Sequence, residues 1–112
     1  MSSKKENLKR FVKEARSAAR VDHENVVAVI DSGSDDKTGL AYMVMEYLDG
    51  VSLGKLLDES VSLDAERALD IFIQICAGLA RAHSCGVVHR DIKPSNIILL
   101  NKDNKRDFVK II

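Results

Sequence analysis

The sequence has no excess of either charge, no long apolar run and few cysteines. Its 112 residues include 17 basic and 17 acidic side chains, which gives no electrostatic reason to expect a nucleic acid or a membrane surface as a partner. No apolar run approaches the roughly 20 residues of a membrane-spanning helix, and residues 1–5 lack the apolar core of a signal peptide. Cys76 and Cys85 lie within and at the end of an apolar helical pattern, so we expect reduced thiols. These features predict a cytoplasmic globular protein.

The first part of the chain predicts a helix followed by an antiparallel hairpin. Ser3 and Glu6 have the spacing of a capping box. The apolar residues that follow recur three and four positions apart, as on one face of a helix: Leu8, Phe11, Val12, Ala15, Ala18 and Ala19. A β-branched strand is predicted at 26–31, a turn rich in Ser, Gly and Asp at 31–39, and a second apolar strand at 40–46.

Two more helices are predicted in the second part. We expect Ser52 to cap a short helix over 53–57, because its hydroxyl can accept a hydrogen bond from a free backbone amide. Ser62 is expected to cap a long helix over 63–84, and Gly86 is expected to end it. The long helix is apolar around most of its circumference, which is typical of a core helix.

Short buried strands are predicted at 86–88, 97–100 and 108–112, with a polar turn at 101–107. Helices and antiparallel strands in this order predict an α+β fold.

The run at 89–96, His-Arg-Asp-Ile-Lys-Pro-Ser-Asn, is the most informative feature of the chain. Asp91 can accept a proton or orient a hydroxyl, Lys93 can neutralise a phosphate, and Asn96 offers a neutral oxygen to Mg²⁺. Pro94 moves the residue before it away from helical geometry, so the three polar groups can converge from one stiff loop. Phosphoryl transfer needs these parts. The alternative is a solvated polar turn between two apolar segments.

This run also resembles, residue for residue, the catalytic loop of protein kinases, written H-R-D-x-K-P-x-N. The Lys-Pro pair resembles the serine/threonine class, and the motifs of the chain most resemble its bacterial members. The resemblance implies a partial protein-kinase-like fold, the cofactors ATP and Mg²⁺, and a protein substrate with a Ser or Thr acceptor. It implies that Asp91, Lys93, Asn96 and Arg90 are catalytic residues, and that Asn96 is also a metal ligand.

The stretch Tyr-Met-Val-Met-Glu-Tyr-Leu-Asp-Gly at 42–50 resembles the strand and hinge that hold adenine in this family. The resemblance implies that Met45 is the gatekeeper of the nucleotide site. It also implies that the Glu46 carbonyl and the Leu48 amide meet the edge of the purine. A hinge needs backbone groups left unpaired at a strand end beside an apolar slot, and this stretch can supply both.

Three further site residues are implied by the same resemblance. Ser52 would lie near the ribose, and Ile98 would form the floor under the base. Glu14, in Phe-Val-Lys-Glu-Ala, stands where the family keeps the glutamate that pairs with a strand lysine. Without the family context, Glu14 is an exposed helix carboxylate. The segment 22–27 resembles the family's His-Pro-Asn-Ile-Val turn, with Glu24 in place of the proline.

The implied organisation is one partial protein kinase domain over 1–112. It consists of a small-lobe part at 1–46, a hinge at 47–51 and a large-lobe part at 52–112 that contains the catalytic loop 89–96. The sequence contains no glycine-rich phosphate loop, no Val-Ala-Ile-Lys strand and no Asp-Phe-Gly aspartate. We therefore expect a fragment of a kinase that is inactive by itself.

Two other functions compete with this interpretation. One is a non-catalytic, kinase-like interaction module. The other is a zinc site formed by Cys76, His83, Cys85 and His89, which have suitable side chains but no C-x-x-C pair. A core cysteine and a histidine at a helix end explain these residues better.

Overall fold

The computed structural model describes residues 4–59, 62–87, 92–102 and 104–112. In chain order the elements are α1 (Lys4–Ala19), β1 (Val29–Asp35), β2 (Leu40–Met45), β3 (Val51–Ser52), α2 (Leu53–Asp58), α3 (Ala65–Ser84), a 3₁₀ turn (Pro94–Asn96), β4 (Ile97–Lys102) and β5 (Lys105–Ile111). The strands form two antiparallel sheets, a two-stranded β1–β2 sheet and a three-stranded β3–β4–β5 sheet. The predicted α+β class is confirmed.

Helix α1 and the β1–β2 hairpin form the first unit, as predicted, but the bounds of the first strand and its turn are wrong. β1 begins at Val29 and continues to Asp35 instead of covering 26–31. Residues 25–27 instead form hydrogen bonds with β5. The Val27 amide donates to the Ile111 carbonyl at 2.9 Å, and the Ile111 amide donates to the Asn25 carbonyl at 2.9 Å. The exposed polar end of β1 then pairs with β2, which shortens the turn.

Both predicted helices of the second part are present, and one of the two predicted caps is confirmed. The Ser52 hydroxyl accepts a hydrogen bond from the Lys55 amide at 3.0 Å at the start of α2. Helix α3 is capped by Asp64 and not by Ser62, since the Asp64 carboxylate accepts from the Arg67 amide at 2.7 Å. Gly86 follows the end of α3 with a φ of 79°, as expected of a residue that ends a helix.

The second sheet is longer than predicted. β4 and β5 extend into the predicted turn at 101–107, where Lys102 pairs with Lys105. Asn104, next to this pair, has a φ of 65°, a conformation that two-residue hairpin turns require and that Asn tolerates. The two-residue strand β3, which was not predicted, joins the other edge of β4. Residues 86 and 87 do not form the expected strand, and residue 88 lies outside the described residues.

The core lies between α3 and the second sheet. It contains Ile71, Ile97, Leu99, Val109 and Ile111. The opposite face of α3 carries apolar side chains that remain exposed: Leu69, Phe72 and Ile73 are 58%, 61% and 56% exposed. In the part of the chain that the structure describes, no helix has both the length and the apolarity needed to cross a membrane.

Candidate functional site

The segment after β2, where the hinge is expected, leaves two backbone groups without a backbone hydrogen bond among the described residues. The Glu46 amide donates to the Ala28 carbonyl at 3.0 Å, and the Leu48 carbonyl accepts from the Gly50 amide at 3.1 Å. Among the described residues, neither the Glu46 carbonyl nor the Leu48 amide takes part in a backbone hydrogen bond outside the helices and strands. An acceptor and a donor two residues apart therefore remain at the end of β2.

The Glu46 side chain is fixed from two sides. Its Oε1 atom accepts from Lys110 Nζ at 2.9 Å and from the Ala28 amide at 3.0 Å. The Lys110 side chain is 9% exposed and the Glu46 side chain 32% exposed. The hydrogen bond from Lys110, followed by that from the Ala28 amide, holds the pKa of Glu46 below its ordinary value. No local sequence pattern indicates this role of Lys110, because its partner lies 64 positions away.

The second sheet brings together two of the residues expected around the nucleotide, Ser52 and Ile98. Ile98 on β4 pairs with Ser52 on one side and with Lys110 on the other. Ile98 is half-buried, and Met45 at the end of β2 is 38% exposed. The Ser52 hydroxyl accepts the capping hydrogen bond of α2, so its proton remains available for another acceptor.

The described part of the polar loop is held in an irregular conformation. Lys93 is extended, with φ −147° and ψ 158°, and Pro94–Asn96 form a 3₁₀ turn, which agrees with the expected effect of Pro94. The Asn96 amide donates to the Lys93 carbonyl and the Asn96 carbonyl accepts from the Ile112 amide, both at 2.9 Å. Lys93 is exposed and Asn96 half-buried.

Helix α2 packs directly on this loop. A Cβ atom at Gly54 would lie 3.2 Å from the Ser95 amide nitrogen and 3.3 Å from the Pro94 carbonyl carbon. The 3₁₀ turn is therefore supported by α2 at one side and continues into β4 at its end.

The structure gives less information about the other predicted site residues. Arg90 and Asp91, with His89, lie outside the described residues. Glu14 is exposed on α1. The zinc alternative has no support from the described residues, among which no group of three or more His, Cys, Asp or Glu side chains could hold a metal ion.

A buried polar network that the sequence analysis missed joins α3 and β5 to Asn25, which lies between α1 and β1. Asn25 Nδ2 donates to Gln74 Oε1 at 3.1 Å and to the Val109 carbonyl at 2.9 Å. Gln74 Oε1 also accepts from the Val109 amide at 2.9 Å, and Gln74 Nε2 donates to the Asp107 carbonyl at 2.8 Å. Asn25 and Gln74 are only 3% and 7% exposed. An amide residue within an apolar helix pattern was the available signal for Gln74.

An ion pair lies beside this network. Arg67 donates to Asp107 through both Nε, at 2.8 Å, and Nη2, at 3.0 Å. The hydrogen bond to Asp107 raises the pKa of Arg67 above its ordinary value. Asp107 has a φ of 59°, which Asp tolerates better than most residues. Helix α3 is thereby joined to β5, the strand that carries Lys110.

Comparison with known proteins identifies the family. A family model described as "Protein kinase domain" matches residues 1–112. The chain is 42% identical over 109 residues to the serine/threonine-protein kinase PksC of Streptomyces coelicolor, a match that covers 92% of this chain and 19% of that protein. It is 40% identical over 99 residues to the serine/threonine-protein kinase PrkC of Bacillus subtilis, covering 88% of this chain and 15% of that protein.

Among solved structures, the kinase domain of PknI from Mycobacterium tuberculosis is similar, with a TM-score of 0.75 and 28% identity. The match covers 92% of this chain and 40% of that one. The chain thus spans about a fifth or less of the length of the bacterial kinases it matches, and about two fifths of a kinase domain.

Proposed function

The chain belongs to the protein kinase family, and we propose that it carries the adenine-binding hinge and the catalytic loop of an ATP-dependent serine/threonine protein kinase. The reaction would transfer the γ-phosphoryl group of ATP to a Ser or Thr hydroxyl of a protein substrate. The observation that carries the proposal is at the hinge. There the Glu46 carbonyl and the Leu48 amide have no backbone partner among the described residues. An acceptor and a donor at this spacing suit the edge of adenine.

The domain layout follows from this assignment. We assign 1–46 to the small lobe, 47–51 to the hinge and 52–112 to the large lobe, with the catalytic loop at 89–96. The two separate sheets support the division, since β1–β2 precedes the proposed hinge and β3–β4–β5 begins at its last residue, Val51.

Around the nucleotide, each proposed residue has a distinct role. Met45 would limit the depth of the base pocket, Ile98 would contact the face of the base, and Ser52 would meet the ribose through its remaining hydroxyl proton. The sheet pairing of Ser52 with Ile98 supports their position in one site. Glu14 would pair with a lysine of the small lobe, a role that its exposed position on α1 allows.

The catalytic loop would supply the groups that act on the transferred phosphoryl. Asp91 would orient the acceptor hydroxyl and take its proton, with Arg90 beside it in the loop. Lys93 would stabilise the charge on the phosphoryl oxygens, and its exposed, extended position suits contact with a substrate.

Mg²⁺, which neutralises phosphate charge when it is bound, fits the chemistry of Asn96. A carboxamide oxygen is a hard, neutral ligand of the kind that Mg²⁺ accepts beside phosphate oxygens and water. Asn96 is half-buried, and its backbone is held at both its amide and its carbonyl. A rigid backbone keeps such a ligand in one place.

The test uses the product of the complete gene that encodes residues 1–112. We expect the wild-type protein to phosphorylate Ser or Thr peptides in an ATP-dependent assay, and Asp91→Ala to lower kcat by about 10²–10⁴-fold, the usual contribution of a general base. KM for ATP should change little, because Asp91 acts mainly in the transition state. Asp58→Ala, at an exposed aspartate of α2, is the control and should match the wild type. Normal kcat in Asp91→Ala would refute the assignment, and an inactive wild type would favour the interaction module.

A further inference from the structure

Lys110 carries a buried charge that the proposed reaction does not use. It lies on β5 with only 9% of its side chain exposed, and its Nζ atom contacts the Glu46 carboxylate at 2.9 Å. A buried ammonium group is costly unless it is paired and hydrogen-bonded. The pair therefore holds Glu46, the residue next to the proposed hinge, against β5, a strand distant in the sequence.

The same carboxylate oxygen also binds the segment before β1. Glu46 Oε1 accepts from the Ala28 amide at 3.0 Å, and the Glu46 amide donates to the Ala28 carbonyl at 3.0 Å. Glu46 is thus held at its amide and at its carboxylate. Among the described residues, its carbonyl is the one polar group of Glu46 that forms no hydrogen bond. A residue held in this way presents that carbonyl in a fixed direction.

Lys110 is in addition connected to the residue proposed to lie under the base. Its Cα pairs with that of Ile98 across β4 and β5, so the backbone of Lys110 lies beside Ile98 while its side chain reaches Glu46. Lys110 is therefore connected to two parts of the proposed nucleotide site, the hinge through Glu46 and the floor through Ile98.

We infer that Lys110 is a positioning residue for the nucleotide: through the Glu46 carboxylate it orients the Glu46 carbonyl and the Leu48 amide toward the purine. The inference rests on the proposed function. Lys110 itself does not touch ATP. Without it, the hinge samples other orientations, and nucleotide binding has to restrict them. The loss should therefore raise the Kd and KM for ATP and leave turnover at saturating ATP almost unchanged.

The test compares Lys110→Met, Lys110→Arg and a matched control in the product of the complete gene. Lys105→Met is the control because Lys105 lies on the same strand and its pair with Asp70, at 3.9 Å, is about half exposed. We expect Lys110→Met to raise the KM for ATP and the Kd for a non-hydrolysable ATP analogue about tenfold, as for a modest misplacement of a binding group. The kcat at saturating ATP should stay within about twofold of the wild type. Lys110→Arg should recover most of the affinity, and Lys105→Met should match the wild type.

The outcomes separate this inference from the proposed function. An active wild type whose KM for ATP is unchanged by Lys110→Met overturns the inference alone, even if the melting temperature falls, because the pair would then be only structural. An inactive wild type overturns the proposed function and the inference with it. If Lys110→Met does not fold, the test uses Glu46→Gln instead. This substitution keeps the shape of the side chain and an acceptor for the Ala28 amide. It should raise the KM in the same direction, and an unchanged KM overturns the inference.

Discussion

At the scale of single residues, Glu46 has two polar groups in different surroundings, its side-chain carboxylate and its backbone carbonyl. Its carboxylate accepts hydrogen bonds from a buried lysine and a backbone amide, while its carbonyl has no backbone partner among the described residues. The sequence resemblance assigned only the carbonyl. The task of the carboxylate depends on Ala28 and Lys110, which are 18 and 64 positions away, so no local pattern could indicate it.

The pKa of Glu46 leads to a prediction about stability and pH. Hydrogen bonds from Lys110 and Ala28, with the nearby charges of Lys110 and Lys102, lower the pKa of Glu46 in the folded state from an ordinary value of 4.5. A carboxyl group with a lowered folded-state pKa stabilises the protein above its unfolded-state pKa, and this contribution is lost as the pH falls through the folded-state pKa. We expect the free energy of unfolding of the wild type to fall more than that of Glu46→Gln between pH 6 and pH 3.

Urea denaturation at each pH measures this difference, on the same gene product. Glu66→Gln is the control, since Glu66 is an exposed carboxylate in the first turn of α3. The free energy of unfolding of Glu66→Gln should follow nearly the same pH dependence as that of the wild type. The pH dependence of Glu46→Gln should differ more from the wild type. Parallel curves for the wild type and Glu46→Gln would show that the two hydrogen bonds do not favour the charged carboxyl group.

At the scale of elements, the cap of α3 is Asp64 and not the predicted Ser62. Ser62 and Asp64 both belong to residue types that cap helices, but the Asp64 carboxylate accepts the Arg67 amide in the structure. We expect Asp64→Ala to destabilise the protein by about 1 kcal/mol, the usual cost of losing a cap, and Asp64→Asn to retain most of the stability. Ser62→Ala should have little effect. Chemical denaturation of the three variants measures this, and a larger loss in Ser62→Ala than in Asp64→Ala would contradict the assigned cap.

Local chemistry predicted the elements better than their bounds. The Ser52 cap, the end of α3 at Gly86 and the β1–β2 hairpin depend on neighbours in sequence, and all three are present. The shift of β1 depends on hydrogen bonds between residues 25–27 and Ile111, which local patterning does not contain.

The candidate site divides in the same way. The backbone groups at Glu46 and Leu48 and the extended Lys93 lie in motifs that the sequence analysis singled out, and their roles in a site stay predictions. The supports behind them were missed, namely Lys110, the Asn25–Gln74 network and the ion pair of Arg67 with Asp107. Each support joins residues far apart in the sequence, so it becomes visible only when α3 packs against β5.

At the scale of the whole molecule, α3 has one face against the core and one apolar face in solvent. Ile71 is 3% exposed, whereas Phe72 beside it is 61% exposed, with Leu69 and Ile73 similarly open. Burial of the core side of α3 leaves this apolar surface in contact with water. Exposed apolar side chains on one continuous face favour association. The chain matches only 40% of the PknI kinase domain, so the longer relative has other residues that could cover the equivalent face.

This exposed face predicts how the 112-residue polypeptide behaves in solution when it is prepared as it stands. We expect concentration-dependent self-association, since burying the α3 face against a second copy removes apolar surface from water. Phe72→Glu should weaken the association, because a charge would have to be buried at the centre of the contact. Leu40→Glu is the matched control: Leu40 is 68% exposed, but it lies on β2. Sedimentation velocity over a range of concentrations distinguishes the variants. A monomeric wild type, or equal effects of the two substitutions, would show that the α3 face does not drive association.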